Sequence, residues 1–292
     1  MTSVRDLGST EKLAIELRDA IAAGTAEGPT IVAAGRAICM TGGHGWFIGR
    51  EADGASETRK AVREQRRDGA QCIKFIATGG VLTKGAVPDV DQLSQAELTA
   101  GVDEAHRHGM KCAAHAIGAG GIKNALRAGV DSIEHGHLID EEGIALLVGS
   151  GATIVPTIAA IECIVEAGAG AGMPDFVIQK ARHIRETAIE NLRRARDAGA
   201  RFAAGSDAGT PFNGHDGFAH ELELMQSLLG MSARETLKAA TVTAGQLLDI
   251  DRGTVRAGSV ADLTLLSSDI DGDAKPFRNP LGVIKGGRLV RL

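Results

Sequence analysis

Four residues stand at the ends of short apolar runs and belong to types that bind metals or move protons. They are Lys74 in CIKFIATGG (72–80), His115 in KCAAHA (111–116), His135 in VDSIEHG (130–136) and Asp207 in RFAAGSD (201–207). Short apolar runs bounded by turn residues read as buried strands leaving into loops. A lysine inside such a strand is costly unless it is paired or neutralised. A lysine, two histidines and an aspartate suit a borderline divalent metal such as zinc. Each also has a plainer reading. A strand histidine serves as a hydrogen-bonded core residue, Asp207 in GSDAG as a helix cap or turn residue, and Lys74 as the partner of a buried carboxylate such as Glu134. All four at equivalent strand ends favours one shared site.

The remaining histidines are less specific. His106 and His108 fall near a helix end, where a cation is favourable without any function. His183 is expected on a solvated helix face. His44 in TGGHGWF, His137 in EHGHLID, and His215 and His220 in NGHDGFAHE follow strands. Of these, His44, His137 and His220 are the candidate substrate contacts. Arg5, Arg36 and Arg50 read as surface or structural ion pairs, with a substrate carboxylate as the alternative.

The elements that must position these groups alternate. Seven apolar runs, at 2–8, 30–35, 72–80, 111–116, 130–136, 152–158 and 201–207, are separated by helical patterns. These patterns predict helices over 9–24, 94–109, about 175–198, about 216–229 and 232–248. Ser9 or Thr10 would cap the first and Gly24 stop it; Ser94 and Glu97 form a capping-box pattern in the second. Strand, helix, strand in repetition means a parallel α/β architecture. A barrel is favoured over an open sheet because the polar signals sit at the C-terminal ends of several strands, which converge on one mouth. The glycines at 168, 170 and 172 follow helical sequence and read as a flexible loop, not a dinucleotide fingerprint. After about 250 the pattern becomes turn-rich and alternating. A barrel domain is expected over 1–250 and strands of a small β-sandwich over 251–292.

Composition bounds the rest. The 292 residues carry a net charge of −5 and are 43% hydrophobic, which suits a globular protein with a large core. So mild a charge gives no electrostatic case for nucleic acid or a membrane surface. No apolar run approaches a membrane span, and MTSVRDLGST lacks the apolar stretch of a secretory signal, so a cytoplasmic protein is expected. Cys39, Cys72, Cys112 and Cys163 are widely spaced, without a CxxC pair, and read as buried free thiols. Tyrosine is absent, which excludes phenol chemistry. A small-molecule substrate is the partner expected, and the sequence leaves a homo-oligomer open.

The segments VRDLG, TGGHG, IKFIATGG, AAHAIG, SIEHGHLID, VPTI, AAGSDAGTPF, AATVTAGQLLDI and GTVRAGSVADL together resemble the amidohydrolase superfamily, closest to its Xaa-Pro dipeptidase and imidazolonepropionase-like branch. They run in the family's order over nearly the whole chain. The resemblance implies a (β/α)8 barrel of the metal-dependent hydrolase type, with a small β-sandwich built from both chain ends. It places on Lys74 the carboxylated lysine that bridges two metals. Burial favours the neutral amine of a lysine, which can capture carbon dioxide as a carbamate. By the same resemblance His115 and His135 bind one metal, and Asp207 binds the other and shuttles protons. The implied reaction is hydrolysis of an amide bond, in dipeptides or N-acyl amino acids, by a metal-activated hydroxide, with zinc as the expected metal.

The chain departs from that pattern in two places. No His-x-His lies ahead of VRDLG, which resembles the family's second strand. The chain is therefore expected to lack the first strand and the N-terminal sandwich strands, roughly 60 residues or more at ordinary element lengths. The site of His115, His135 and Lys74 then keeps three protein ligands, and the other keeps only Lys74 and Asp207. Peptidase relatives often carry a tyrosine soon after the Pro-Thr pair, where Ile161 stands here. The alternatives are a hydrolase of a cyclic amide or a lactone or ester, and an inactive fragment of such an enzyme.

Overall fold

The runs Cys72–Ile76 and Lys111–Ala116 form adjacent parallel strands, with every residue of the first buried. Strands covered on both faces by helices have to be apolar throughout, which is why these runs show no alternation. A computed structural model describes residues 1–270 and 274–291. The chain divides into two units, one of Met1 and Ser3–Ile154, the other of Thr2 and Val155–Leu292.

The first unit contains β1 (Ser3–Asp6), α1 (Leu13–Ala22), β2 (Thr30–Ala33), β3 (Ile38–Cys39), β4 (Arg50–Glu51), α2 (Gly54–Arg67), β5 (Cys72–Ile76), α3 (Gln95–Arg107), β6 (Lys111–Ala116), α4 (Ala119–Ala128), β7 (Ser132–His135), α5 (Glu141–Ser150) and most of β8 (Thr153–Val155). Its sheet runs in the order β4-β3-β5-β6-β7-β8, and β3 with β4, β3 with β5, β5 with β6 and β6 with β7 pair in parallel. This is the parallel α/β class that the alternation predicts. Phe75 on β5 shows how a helix docks: a Cβ at Gly101 of α3 would fall 2.5 Å from its ring, so only glycine lets α3 approach so closely. Ser94 and Glu97 form the expected capping box on α3.

Three details differ from the sequence reading. The first helix begins at Leu13, because Glu11 takes a left-handed φ of 49° that a helix cannot continue through. Ser9 still accepts a hydrogen bond from the Ala14 amide, at 3.2 Å. The runs at 2–8 and 30–35 become β1 and β2, which pair with each other in a separate two-stranded parallel sheet. Two-residue strands β3 and β4, too short to carry a periodic signal, extend the sheet instead, β3 beside β5 and β4 beyond it.

The second unit contains α6 (Ile158–Ala167), a 3-10 turn (Ala169–Ala171), α7 (Asp175–Asp197), β9 (Arg201–Phe202), α8 (Phe218–Ser227), α9 (Ala233–Lys238), a π-helical stretch (Ala239–Thr243) and α10 (Ala244–Leu248). The glycines of 168–172 thus lie around a short turn. Val155 at the end of β8 packs with Ala203 and Leu247. The π-helical stretch has a use: the Ala239 carbonyl accepts from the Ala204 amide at 3.1 Å, just beyond β9. The C-terminal segment adds β10 (Leu263–Leu265), a 3-10 turn (Lys275–Arg278), β11 (Gly282–Lys285) and β12 (Arg288–Arg291), where the three strands form an antiparallel sheet. Of the span 251–292 expected to hold sandwich strands, residues 271–273 and Leu292 lie outside the described residues. No helix among the described residues is long and apolar enough to cross a membrane. All four cysteines are free thiols, three of them buried.

Candidate metal centre

His115 lies near the C-terminal end of β6 and is 5% exposed. Its Nε2 stands 2.9 Å from the Gly79 carbonyl. A carbonyl only accepts, so Nε2 carries the proton and Nδ1 keeps its lone pair. Burial holds the imidazole's pKa well below its ordinary value, and the nearby His44 and Lys74 charges add to this. The ring is therefore neutral, as a metal ligand must be.

His135 ends β7, one residue past Glu134, which is level with His115. Successive strand residues face opposite ways, so an extended His135 would point away from His115. Instead it adopts a left-handed φ of 76°, and its ring lies 4.6 Å from that of His115, edge to face. A non-glycine residue in this region is uncommon and concentrates at functional sites. Its pKa too is held well below the ordinary value, first by burial and then by His115.

Two further imidazoles extend the row. The His44 ring is 4.6 Å from that of His115, and the His137 ring, 2% exposed, is 5.5 Å from that of His135. His44 Nδ1 is hydrogen-bonded with Thr83 Oγ1 at 2.9 Å, and its backbone amide donates to Gln92 at 2.8 Å. Gly80 makes room for it: a Cβ there would fall 2.4 Å from His44 Nε2. Lys74 sits on β5, 7% exposed, two residues before Ile76, which is level with His115.

Glu134, the carboxylate considered as a partner for Lys74, accepts from Arg5 at 2.9 Å and from Ser132 Oγ at 2.6 Å. Arg5 is thus a buried structural ion pair. Arg36 pairs with Glu11, and Arg50 with Glu57 and Glu64, all as ion pairs within the chain.

Another donor set lies at the opposite ends of the strands. Atoms of His106, Cys112 and Asp131 fall within 4.8 Å of one another. Asp131 already accepts from Lys111 Nζ at 2.8 Å and from the Cys112 amide at 2.8 Å, and is bonded with His106 at 2.9 Å. Burial pushes the Cys112 thiol well above its ordinary pKa. These are the marks of a hydrogen-bonded ion pair that fixes α3 to the sheet, consistent with the structural reading of His106. His108 likewise bonds Glu104 at 3.1 Å.

In the second unit Asp207 follows β9, exposed, with a left-handed φ of 55°. His220 is half-buried, with Nδ1 3.5 Å from an Arg278 nitrogen, whereas His215 and His183 are exposed. Ile161, at the place of the peptidase tyrosine, is buried in α6. Two groups escaped the sequence reading. Glu221 is fully buried and accepts from the Ile158 and Ala159 amides at 3.0 and 2.7 Å, holding the start of α6 just after Thr157, whose φ is 47°. Burial pushes its pKa up to about 8. Asn213, 3% exposed, bonds the carbonyls of Ser206 and Asp207. Asn213 sits among loop polars that carry no periodic signal, and Glu221 lies in the first turn of α8, where an acidic residue reads as an ordinary helix start.

The donor set in the first unit fits a divalent metal. Two neutral imidazoles, buried His115 and half-buried His135, lie side by side, one with its tautomer set by a carbonyl, as metal-binding histidines usually are. A buried lysine stands on the neighbouring strand.

A model described as the amidohydrolase family matches residues 1–290. The chain is 32% identical to an ochratoxinase of Aspergillus niger over 323 aligned residues, which cover 99% of this chain and 65% of the relative. It thus spans just under two thirds of that relative's length. The solved structure of A. niger ochratoxinase superposes with a TM-score of 0.89. A solved Xaa-Pro dipeptidase with methionine in its active site superposes with a TM-score of 0.93 at 36% identity, covering 100% of this chain and 75% of that one. A prolidase complexed with N-methylphosphonate-L-proline gives a TM-score of 0.92 at 31% identity, covering 100% and 76%.

Proposed function

The chain belongs to the amidohydrolase family, and on that premise we propose that it is a metal-dependent hydrolase of amide bonds in dipeptides or N-acyl amino acids. The observation that carries the reading is the pair of neutral histidines, buried His115 and half-buried His135, with the buried Lys74 on the strand beside His115. Their chemistry matches a borderline metal such as zinc.

In this reading His115 offers Nδ1, since Nε2–H is held by the Gly79 carbonyl, and His135 is turned to the same side by its left-handed backbone. Lys74 joins them as a carbamate: its neutral amine takes up carbon dioxide and releases a proton, which leaves an anionic oxygen ligand. A bound divalent metal would polarise the substrate carbonyl and make water a nucleophile at neutral pH. Asp207 accepts a proton from the attacking water and returns it to the leaving nitrogen, as general base turned acid. Substrate contact is assigned to His44, held by Thr83, and to His137 and His220. The similarity to a Xaa-Pro dipeptidase supports a dipeptide, and the absence of tyrosine argues for a different mode of substrate contact. Four free thiols support a reducing, cytoplasmic setting.

The test is hydrolysis of a panel of dipeptides, N-acyl amino acids, cyclic amides and lactones by zinc-loaded protein. Turnover of dipeptides or N-acyl amino acids, abolished in Lys74→Ala, is the expected result. Turnover confined to cyclic amides or lactones would replace the substrate class.

A further inference from the structure

Asp207 holds a backbone conformation that an L-residue seldom adopts, and something has to keep it there. The φ angle of a residue turns the peptide plane before it, and ψ the plane after it. The Ser206 carbonyl lies in the first plane and the Asp207 carbonyl in the second. Asn213 Nδ2 donates to both, at 2.6 and 3.1 Å. A carboxamide nitrogen has two protons, so one side chain can hold both planes at once.

Its surroundings make that grip rigid. Asn213 is 3% exposed, and its nitrogen also lies 3.2 Å from Thr210 Oγ1. The Thr210 hydroxyl donates to the same Asp207 carbonyl at 2.8 Å. The backbone closes the loop three times, from the Gly209 amide to the Asn213 carbonyl at 2.9 Å, from the Asn213 amide to the Thr210 carbonyl at 3.1 Å and, more weakly, from the Thr210 amide to the Asp207 carbonyl at 3.4 Å.

We infer that Asn213 is the positioning residue of Asp207: its buried carboxamide fixes both backbone dihedrals and so aims the carboxylate. The catalytic consequence rests on the proton-transfer role proposed for Asp207. The conformational part stands without it.

Two variants test this. Asn213→Ala removes the donors, and Asn213→Asp keeps the shape while setting oxygens against the two carbonyls. Crystal structures of both are expected to show residue 207 out of the left-handed region with the rest of the unit unchanged. Asp207 still at a φ near 55° in both would overturn the proposal. So would failure of both variants to fold, since Asn213 would then support the unit and not one residue. The kinetic arm uses zinc-loaded protein. Asn213→Ala is expected to lower kcat about tenfold to a hundredfold with KM little changed, the usual size of a misplacement effect. Added to Asp207→Ala it should lower kcat no further, because the two act as one unit. Effects that multiply would mean that Asn213 acts apart from Asp207. If no variant or parent hydrolyses anything, the hydrolase reading fails, and the crystal structures still decide what Asn213 does.

Discussion

At the scale of single residues, the proposed site would depend on groups that hold histidines and not only on the histidines. Thr83 Oγ1 accepts from the Gly45 amide and bonds His44 Nδ1, so Thr83→Val removes both contacts. The expected result is a rise in KM of about tenfold, near 1.4 kcal/mol, with kcat changed less, because His44 is assigned to substrate contact. Steady-state kinetics on the best dipeptide checks it. In Gly80→Ala a Cβ would fall 2.4 Å from His44 Nε2, so the ring has to move. A comparable loss in kcat/KM is expected, and unchanged kinetics would remove His44 from the site. Lys74, His115 and His135 were legible because each breaks an apolar run in a way that burial makes costly. The turn of His135 was not, since its left-handed φ leaves no mark in the one-letter string. Thr83 and Gln92 were hidden for another reason: loop residues meet their partners through the fold, not through spacing.

At the scale of elements, two buried carboxylates tie helices in place, and they titrate in opposite directions. Glu104 of α3 bonds Arg63 of α2 at 2.7 and 3.1 Å and His108 at 3.1 Å. Arg63 holds its pKa down, to about 2 from an ordinary 4.5. The folded state then binds the proton less well than the unfolded one. Its contribution is complete above about pH 4.5 and is lost as pH falls toward 2. Glu104→Gln is expected to lower the urea midpoint at pH 7 and to flatten its fall in acid. Glu221 is the reverse case, raised by burial to about 8 from 4.5. Here the folded state holds the proton more tightly, so stability falls as pH rises from about 4.5 through 8. Glu221→Gln should remove that alkaline slope, and an identical slope in the variant would show another group to be responsible. Part of the helices was legible, as Ser94 with Glu97 shows by forming the expected capping box at the start of α3, whereas no range was predicted for α2, α4, α5 or α6. What was not legible was β3 and β4, two residues each, and the placing of β1 and β2 in their own sheet. Strand partners are set by distant contacts that no local pattern encodes.

At the scale of the whole molecule, family membership rests on a match over residues 1–290 and on likeness to solved structures covering the full chain. The donor set proposed for the metal is open to direct test. A metal that binds only the folded state stabilises it, by about 2.7 kcal/mol at a hundredfold excess over Kd. Zinc is therefore expected to raise the Tm of the parent chain and to leave that of Lys74→Ala unchanged. The most direct measurement is metal content per chain by mass spectrometry, on folded parent protein beside Lys74→Ala and His115→Ala. The account predicts at least one equivalent of zinc or a similar divalent metal in the parent, lost in both variants while they remain folded. A folded parent that takes up no metal when zinc is supplied, or variants that keep all of it, would contradict the claim that Lys74, His115 and His135 form a metal centre.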